Sequence, residues 1–209
     1  MRILVACEYS GVIRDAFARK GHDAWSCDLE ETISVNKSRH IKGDVLDLLA
    51  RDSAWDMVIA HPPCTYLCNS GAQWYYHPED KHLPVNSRRP HPDYPNRQRD
   101  REEAKDFFLI FASLSFTIPK VCIENPIGIM SKWKKPTQII QPWQFGHTAA
   151  KATCLWLWGL PKLEPTKIVE PDYVTTPSGK RHCPWYSNNK GLRSVTFYGI
   201  GEAMANQWG

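Results

Sequence analysis

Short apolar runs alternate along the chain with stretches whose apolar residues recur at helical spacing. Residues 2–6 form the first run and end in Cys7-Glu8-Tyr9-Ser10-Gly11, the pattern of a buried strand feeding a turn. Residues 12–20 follow with Val12, Ile13, Ala16 and Phe17 on one helical face, and Gly21 reads as the stop. Further strands are predicted at 23–27, 40–44, 56–60 and 120–124, and helices at 45–51 and 102–116.

Strands alternating with helices predict an α/β fold: a doubly wound, mainly parallel sheet with long irregular loops and both faces covered. In such a sheet ligands gather at the carboxyl ends of the strands, near the switch in strand order. Glu8, Asp28, Asp44, Cys64 and Glu124 each fall at or just after the end of a predicted strand. Two regions break the pattern. Residues 72–101, rich in Pro, Arg, His and Tyr, read as a long loop or lid, and residues 161–192 are similarly irregular.

At 209 residues and 24.0 kDa the chain suits a single domain, 1–209. A net charge of +4 permits a nucleic-acid partner without demanding one. The N-terminal apolar run is too short for a signal peptide, and no segment approaches the roughly 20 apolar residues of a membrane span. These features predict a soluble, cytoplasmic protein whose seven cysteines are free thiols. The usual zinc-ligand spacing is missing, so no metal is expected.

The opening strand, turn and helix suit a nucleotide-like cofactor, because backbone N–H groups and a helix N-terminus face it. The turn holds one glycine, Gly11, and lacks the GxGxxG fingerprint. Asp28 lies about 20 residues beyond it, where a ribose-binding carboxylate belongs. Asp44 could accept from an adenine amino group. Both aspartates would equally serve as helix caps or turn residues.

His61-Pro62-Pro63-Cys64 carries the most chemistry. Two prolines stiffen the turn out of a buried strand and present Cys64 outside the core, where nearby cations could lower its pKa. In Val121-Cys122-Ile123-Glu124-Asn125-Pro126, a carboxyl group directly follows a buried strand. Desolvation there predicts a raised pKa and a protonated acid. A nucleophile paired with an acid suits attack on an unreactive aromatic base.

Pro-Pro-Cys-x-x-x-x-x-Ser-x-Gly after one strand and Glu-Asn after a later one resemble the DNA cytosine-5 methyltransferases. The resemblance extends to the opening turn, Asp28, Asp44, a late strand at 151–160 and a closing motif at 198–205 that packs against the cofactor in that family. It implies a class I, Rossmann-like methyltransferase fold and S-adenosylmethionine as cofactor. The cofactor would lie on Glu8, Tyr9, Ser10 and Gly11, on Asp28 and Leu29, on Asp44 and Val45, and on Pro62. Cys64 would add to C6 of cytosine while Glu124 protonates N3, and Asn125, Lys151 and Thr153 would contact substrate. The chain departs from the family at Thr65, where Gln is usual, and at Lys151-Ala152-Thr153, which replaces a Gln-x-Arg-x-Arg series. The segment 161–192 stands where a large target-recognition domain is normal, as in compact phage-type relatives acting in a bacterium or phage-infected cell.

Lys81, Arg88, Arg89, Arg97, Arg99 and Arg101 are interleaved with Trp74, Tyr75, Tyr76 and Tyr94, a composition that suits a DNA-tracking surface. Of these, Arg97, Arg99 and Arg101 are the expected phosphate contacts. Acidic residues between them would equally make a charge-balanced loop. Three readings remain: methylation of cytosine in DNA, methylation of a free cytosine nucleotide, or a silent DNA-binding relative. Trp156 and Trp158 read as core residues of the late strand.

Overall fold

The computed structural model describes residues 1–184 and 192–209. Strands β1 (Arg2–Ala6), β2 (Asp23–Asp28), β3 (His40–Lys42), β4 (Met57–Ala60) and β5 (Lys120–Pro126) run parallel. β7 (Thr153–Trp158) runs antiparallel between β5 and β6 (Gln138–Ile140). The seven-stranded order is β3-β2-β1-β4-β5-β7-β6, the doubly wound, Rossmann-like architecture that the sequence pattern predicts. The chain enters at β1, winds outward through β2 and β3, then returns to β4 on the other side of β1. The switch in strand order therefore lies between β1 and β4.

Alternation along β1 divides the interior into two layers, because successive side chains leave a strand on opposite faces. Ile3 and Val5 join a core with Phe17 of α1 (Val12–Arg19) and Met204 and Trp208 of α5 (Tyr198–Trp208). Leu4 and Ala6 join the other, with Leu48 of α2 (Val45–Arg51) and Phe108 and Phe111 of α3 (Arg97–Ser113). Trp156 is fully buried and its indole N–H donates to the Lys134 carbonyl at 2.8 Å. Trp158 is half-buried, with the Lys134 ammonium over its ring.

The long loop differs from its sequence-based expectation. α3 begins at Arg97 rather than 102, so the three expected phosphate-binding arginines are helical. The rest of 72–101 is organised by short 3-10 turns, including Pro78–His82 and Val85–Ser87, and by an Asp80–Arg89 ion pair at 2.7 Å. Trp74 meets His91 and Tyr94 in T-shaped contacts within it. The region 161–192 contains a small hairpin, β8 (Val174–Thr175) with β9 (Arg181–His182), while its residues 185–191 lie outside the described ones. β6 and the short α4 (Met130–Trp133) were not legible as elements in the sequence. Among the described residues, no helix is long and apolar enough to cross a membrane.

Candidate active site at the strand ends

The turn after β1 is built largely for the helix that follows it. Glu8, 3% exposed, accepts from the backbone N–H groups of Ile13 at 2.7 Å and Arg14 at 3.3 Å, and from the Ser10 hydroxyl at 3.2 Å. Its carboxylate therefore closes the α1 N-terminus, where the helix dipole favours negative charge. Burial nevertheless raises its pKa above the ordinary carboxyl value, against the charge of His61 and the backbone donors. Ser10 is buried too, and its hydroxyl also accepts from the Val12 N–H. Gly11 holds φ +72°, and a Cβ there would stand 2.5 Å from the Arg14 guanidinium, so both backbone and space require glycine. The side chains of Glu8 and Ser10 thus shape the turn. Tyr9 reaches across to the Ser194 hydroxyl at 2.9 Å.

The strand ends of β1, β2 and β3 enclose a cavity of about 150 Å³ lined by Cys7, Cys27, Asp28, Leu29, Gly43, Asp44, Val45, Pro63 and Phe107. Four of the expected cofactor residues meet here: Asp28, Leu29, Asp44 and Val45. The bland reading holds alongside it. Asp44 caps α2 by accepting from the Leu46 N–H at 2.8 Å, and Asp28 accepts from the Glu30 N–H at 3.0 Å. Each carboxylate is thereby fixed in direction while still forming part of the wall. Pro63, not Pro62, lines the cavity; Pro62 is buried and its carbonyl accepts from Asn125 at 2.8 Å. Cys7, at the rim, has φ 58°, an uncommon strained value for a residue with a side chain.

Past the two prolines the chain makes one helical turn, with the N–H groups of Leu67 and Cys68 both donating to the Cys64 carbonyl at 3.0 Å. Residues four apart share a face, so the Cys64 and Cys68 thiols hydrogen-bond to each other. Cys64 is exposed. The hydrogen bond from Cys64, with donors from Ser70 and the Gly71 N–H, holds Cys68 well below the usual thiol value. The same contact, with the charge of Glu124, raises Cys64. Lys151 is the cation that favours charge on Cys64.

This turn is clamped from two sides. Arg97, 8% exposed, donates to the Thr65 carbonyl at 3.0 Å and lies among the rings of Tyr66, Tyr75 and Tyr94 at 5.0, 5.2 and 5.8 Å. Opposite, the Ile129 N–H donates to the Leu67 carbonyl at 2.9 Å. Gly128 allows that approach, since a Cβ would stand 1.9 Å from the Leu67 oxygen. The Arg97 guanidinium is thus buried against this turn rather than presented at the surface. Arg99 is exposed but pairs with Asp100 and Glu103, and Arg101 pairs with Glu102 and lies over Tyr75. The expected DNA-facing charge is largely neutralised within the chain.

Glu124 lines a narrow cleft with Ile140, Lys151, Thr153, Ser194 and Met204. Its Oε2 lies 3.0 Å from Nδ1 of His61. Burial pushes the carboxyl up, but the His61 hydrogen bond and the charges of His61 and Lys151 outweigh it, so the pKa is lowered. That corrects the expectation of a protonated acid, which rested on burial alone. Asn125, 1% exposed, ties β5 to the Pro-Pro turn through its amide N–H, while its Oδ1 has no partner among the described residues. Thr153 is buried at the cleft wall, with its hydroxyl donating to the Lys151 carbonyl at 3.2 Å. The Lys151 ammonium donates to the Arg193 carbonyl at 2.9 Å.

His61, Pro63 and Phe107 escaped sequence reasoning. His61 stood in plain view beside the prolines, whereas Phe107 joins the cavity only because α3 packs on the sheet at β5. No protein-family profile matches this chain, and no curated protein matches it. A solved structure of a candidate DNA modification methyltransferase encoded within an E. coli prophage is similar at 13% identity and a TM-score of 0.46, covering 83% of this chain and 56% of that one. The chain thus spans little more than half the length of that neighbour.

Proposed function

We propose that the protein methylates carbon 5 of a cytosine, using S-adenosylmethionine and Cys64 as the covalent nucleophile. One observation carries this: exposed Cys64 lies within charge-interaction range of Glu124 and Lys151 and directly follows Pro63, which walls the acid-rimmed cavity. The cavity residues fit a nucleoside. Asp28 and Asp44 offer fixed acceptors for hydroxyl and amino groups, and Phe107, Val45 and Leu29 offer apolar faces. The bound cofactor would supply an electrophilic methyl group.

The chain's own residues then have separable tasks. On substrate entry the charge shared by the two thiols moves to Cys64 as its proton passes to Cys68, and Lys151 favours that shift. The Cys64 thiolate adds to C6 of the ring while N3 receives a proton at the Glu124 side, so negative charge does not build on the base. Asn125 and Arg97 act at a distance by holding the turn that carries Cys64. A cytosine within duplex DNA would have to leave the stack to reach this site.

Internal pairing of Arg88, Arg89, Arg97, Arg99 and Arg101 favours a second substrate reading, a free cytosine nucleotide beneath a folded lid. Methyl transfer into duplex DNA, single-stranded DNA and deoxycytidine nucleotides, with wild type and Cys64→Ser, separates the two. C5-methylated product from none of the three substrates would refute the proposal.

A further inference from the structure

We infer that residues 127–135, α4 and its flanks, form a docking surface for a strand of DNA beside the Cys64 turn. The inference rests on the proposed cytosine reaction and deepens it, because it makes a polynucleotide the substrate rather than a free nucleotide.

The charge here is one-sided. Between Glu124 and Glu164 the sequence contains no acidic residue, while Lys132, Lys134, Lys135, Lys151 and Lys162 fall within that stretch. A run of cations without acids, in a chain that elsewhere mixes both signs, is the electrostatic footprint of a polyanion site. Lys132, Lys134 and Lys135 are all exposed. Among the described residues none of the three forms an ion pair, and Lys134 lies over the Trp158 ring at 4.7 Å. The neighbouring α3 does not neutralise them. Its Glu102 is engaged by Arg101 and Lys105, and its Glu103 by Arg99.

An aromatic ring stands among these lysines. Trp133 is 48% exposed, and its ring meets the buried Phe108 in a T-shaped contact at 6.0 Å. That contact orders the indole while leaving about half of it uncovered. Exposed Ile127 adds apolar surface on the Cys64 side. Cations interleaved with an exposed indole suit a chain that offers a phosphate and a stacking base at every unit. An acidic peptide offers the two together only where its sequence happens to supply them.

Backbone contacts fix the position. Gly128 bridges to Cys68, and the Ile129 N–H donates to the Leu67 carbonyl at 2.9 Å, so α4 starts directly against the turn that carries Cys64. Lys132 stands four residues beyond Gly128, about 6 Å of helical rise. A strand whose cytosine has left the stack to reach Cys64 brings its flanking phosphates to this rim. The arginines at 97, 99 and 101 are engaged within the chain, whereas these lysines are not.

The test reads binding, without turnover: fluorescence anisotropy of a short cytosine-containing deoxyoligonucleotide, single-stranded and duplex, across a range of salt. Wild type should bind with an affinity that falls as salt rises. Lys132→Gln combined with Lys135→Gln should lose about tenfold or more in affinity and flatten the salt slope by about 1.5 to 2. Trp133→Leu should lose about tenfold at an unchanged slope, with thermal melting to check the fold. The lysine pair decides alone if that variant does not fold. Lys20→Gln combined with Lys37→Gln, equally exposed toward the β3 edge, should bind as wild type. Absence of salt-dependent DNA binding in wild type would overturn the inference, as would wild-type binding by the Lys132 and Lys135 double variant. DNA binding through these lysines without methylation of any cytosine would refute the proposed reaction and leave this surface standing. Methylation of a deoxycytidine nucleotide without DNA binding would do the reverse.

Discussion

Replacing Arg97 with Ala tests whether the arginines at 97–101 serve DNA or the fold. The guanidinium donates one hydrogen bond, to the Thr65 carbonyl at 3.0 Å, and bonds from charged donors contribute about 1.5–3 kcal/mol. Its three tyrosines share one cation, so the stacking counts once, at about 2 kcal/mol for a desolvated site. Against this, the buried Nε has no partner, and removing it recovers about 1 kcal/mol. The net expectation is a loss of about 3 kcal/mol. Urea unfolding followed by tryptophan fluorescence would measure it. Arg97→Lys should recover only part, because an ammonium lacks the planar face that stacks on the rings. Exposed Arg99→Ala should cost less than about 0.5 kcal/mol. If DNA binds, Arg97→Ala should leave the salt dependence of affinity unchanged. Native stability combined with a salt slope reduced by about one would refute the buried-clamp assignment.

Cys64→Ser should abolish turnover while sparing cofactor binding, and a 5-fluorocytosine substrate should form an adduct that mass spectrometry maps to Cys64. Because Cys68 is held below the usual thiol value, its thiolate persists as pH falls below that value; alkylation at pH 6 should label wild type but not Cys68→Ala. Gly128→Ala places a methyl group against the Leu67 carbonyl, so activity should fall steeply while calorimetry shows cofactor affinity retained. Asp28→Ala should weaken cofactor binding alone. Asp44→Ala should weaken it and also cost about 1 kcal/mol in thermal or urea unfolding, through loss of the α2 cap.

The alternation of apolar runs with helical faces was legible in the sequence because strand and helix periods are local properties, and parallel connectivity then sends every strand end to one edge. Asp28, Asp44, Cys64 and Glu124 could therefore be assigned to a common rim before any contact was known. The extent of α3 was not legible, since Arg97 starts it through a stack of tyrosines from three separate segments. Nor was the ionisation of Glu124, because sequence reveals burial after a buried strand but not the histidine that crosses from β4 to offset it. Glu8 sits at a strand end as expected, yet its carboxylate accepts from backbone groups brought close only in the folded chain, and the Asn125 amide N–H donates to the Pro62 carbonyl in the same way. Local pattern determined which residues reach the site, while packing and long-range electrostatics decided which of them face it and in what charge state.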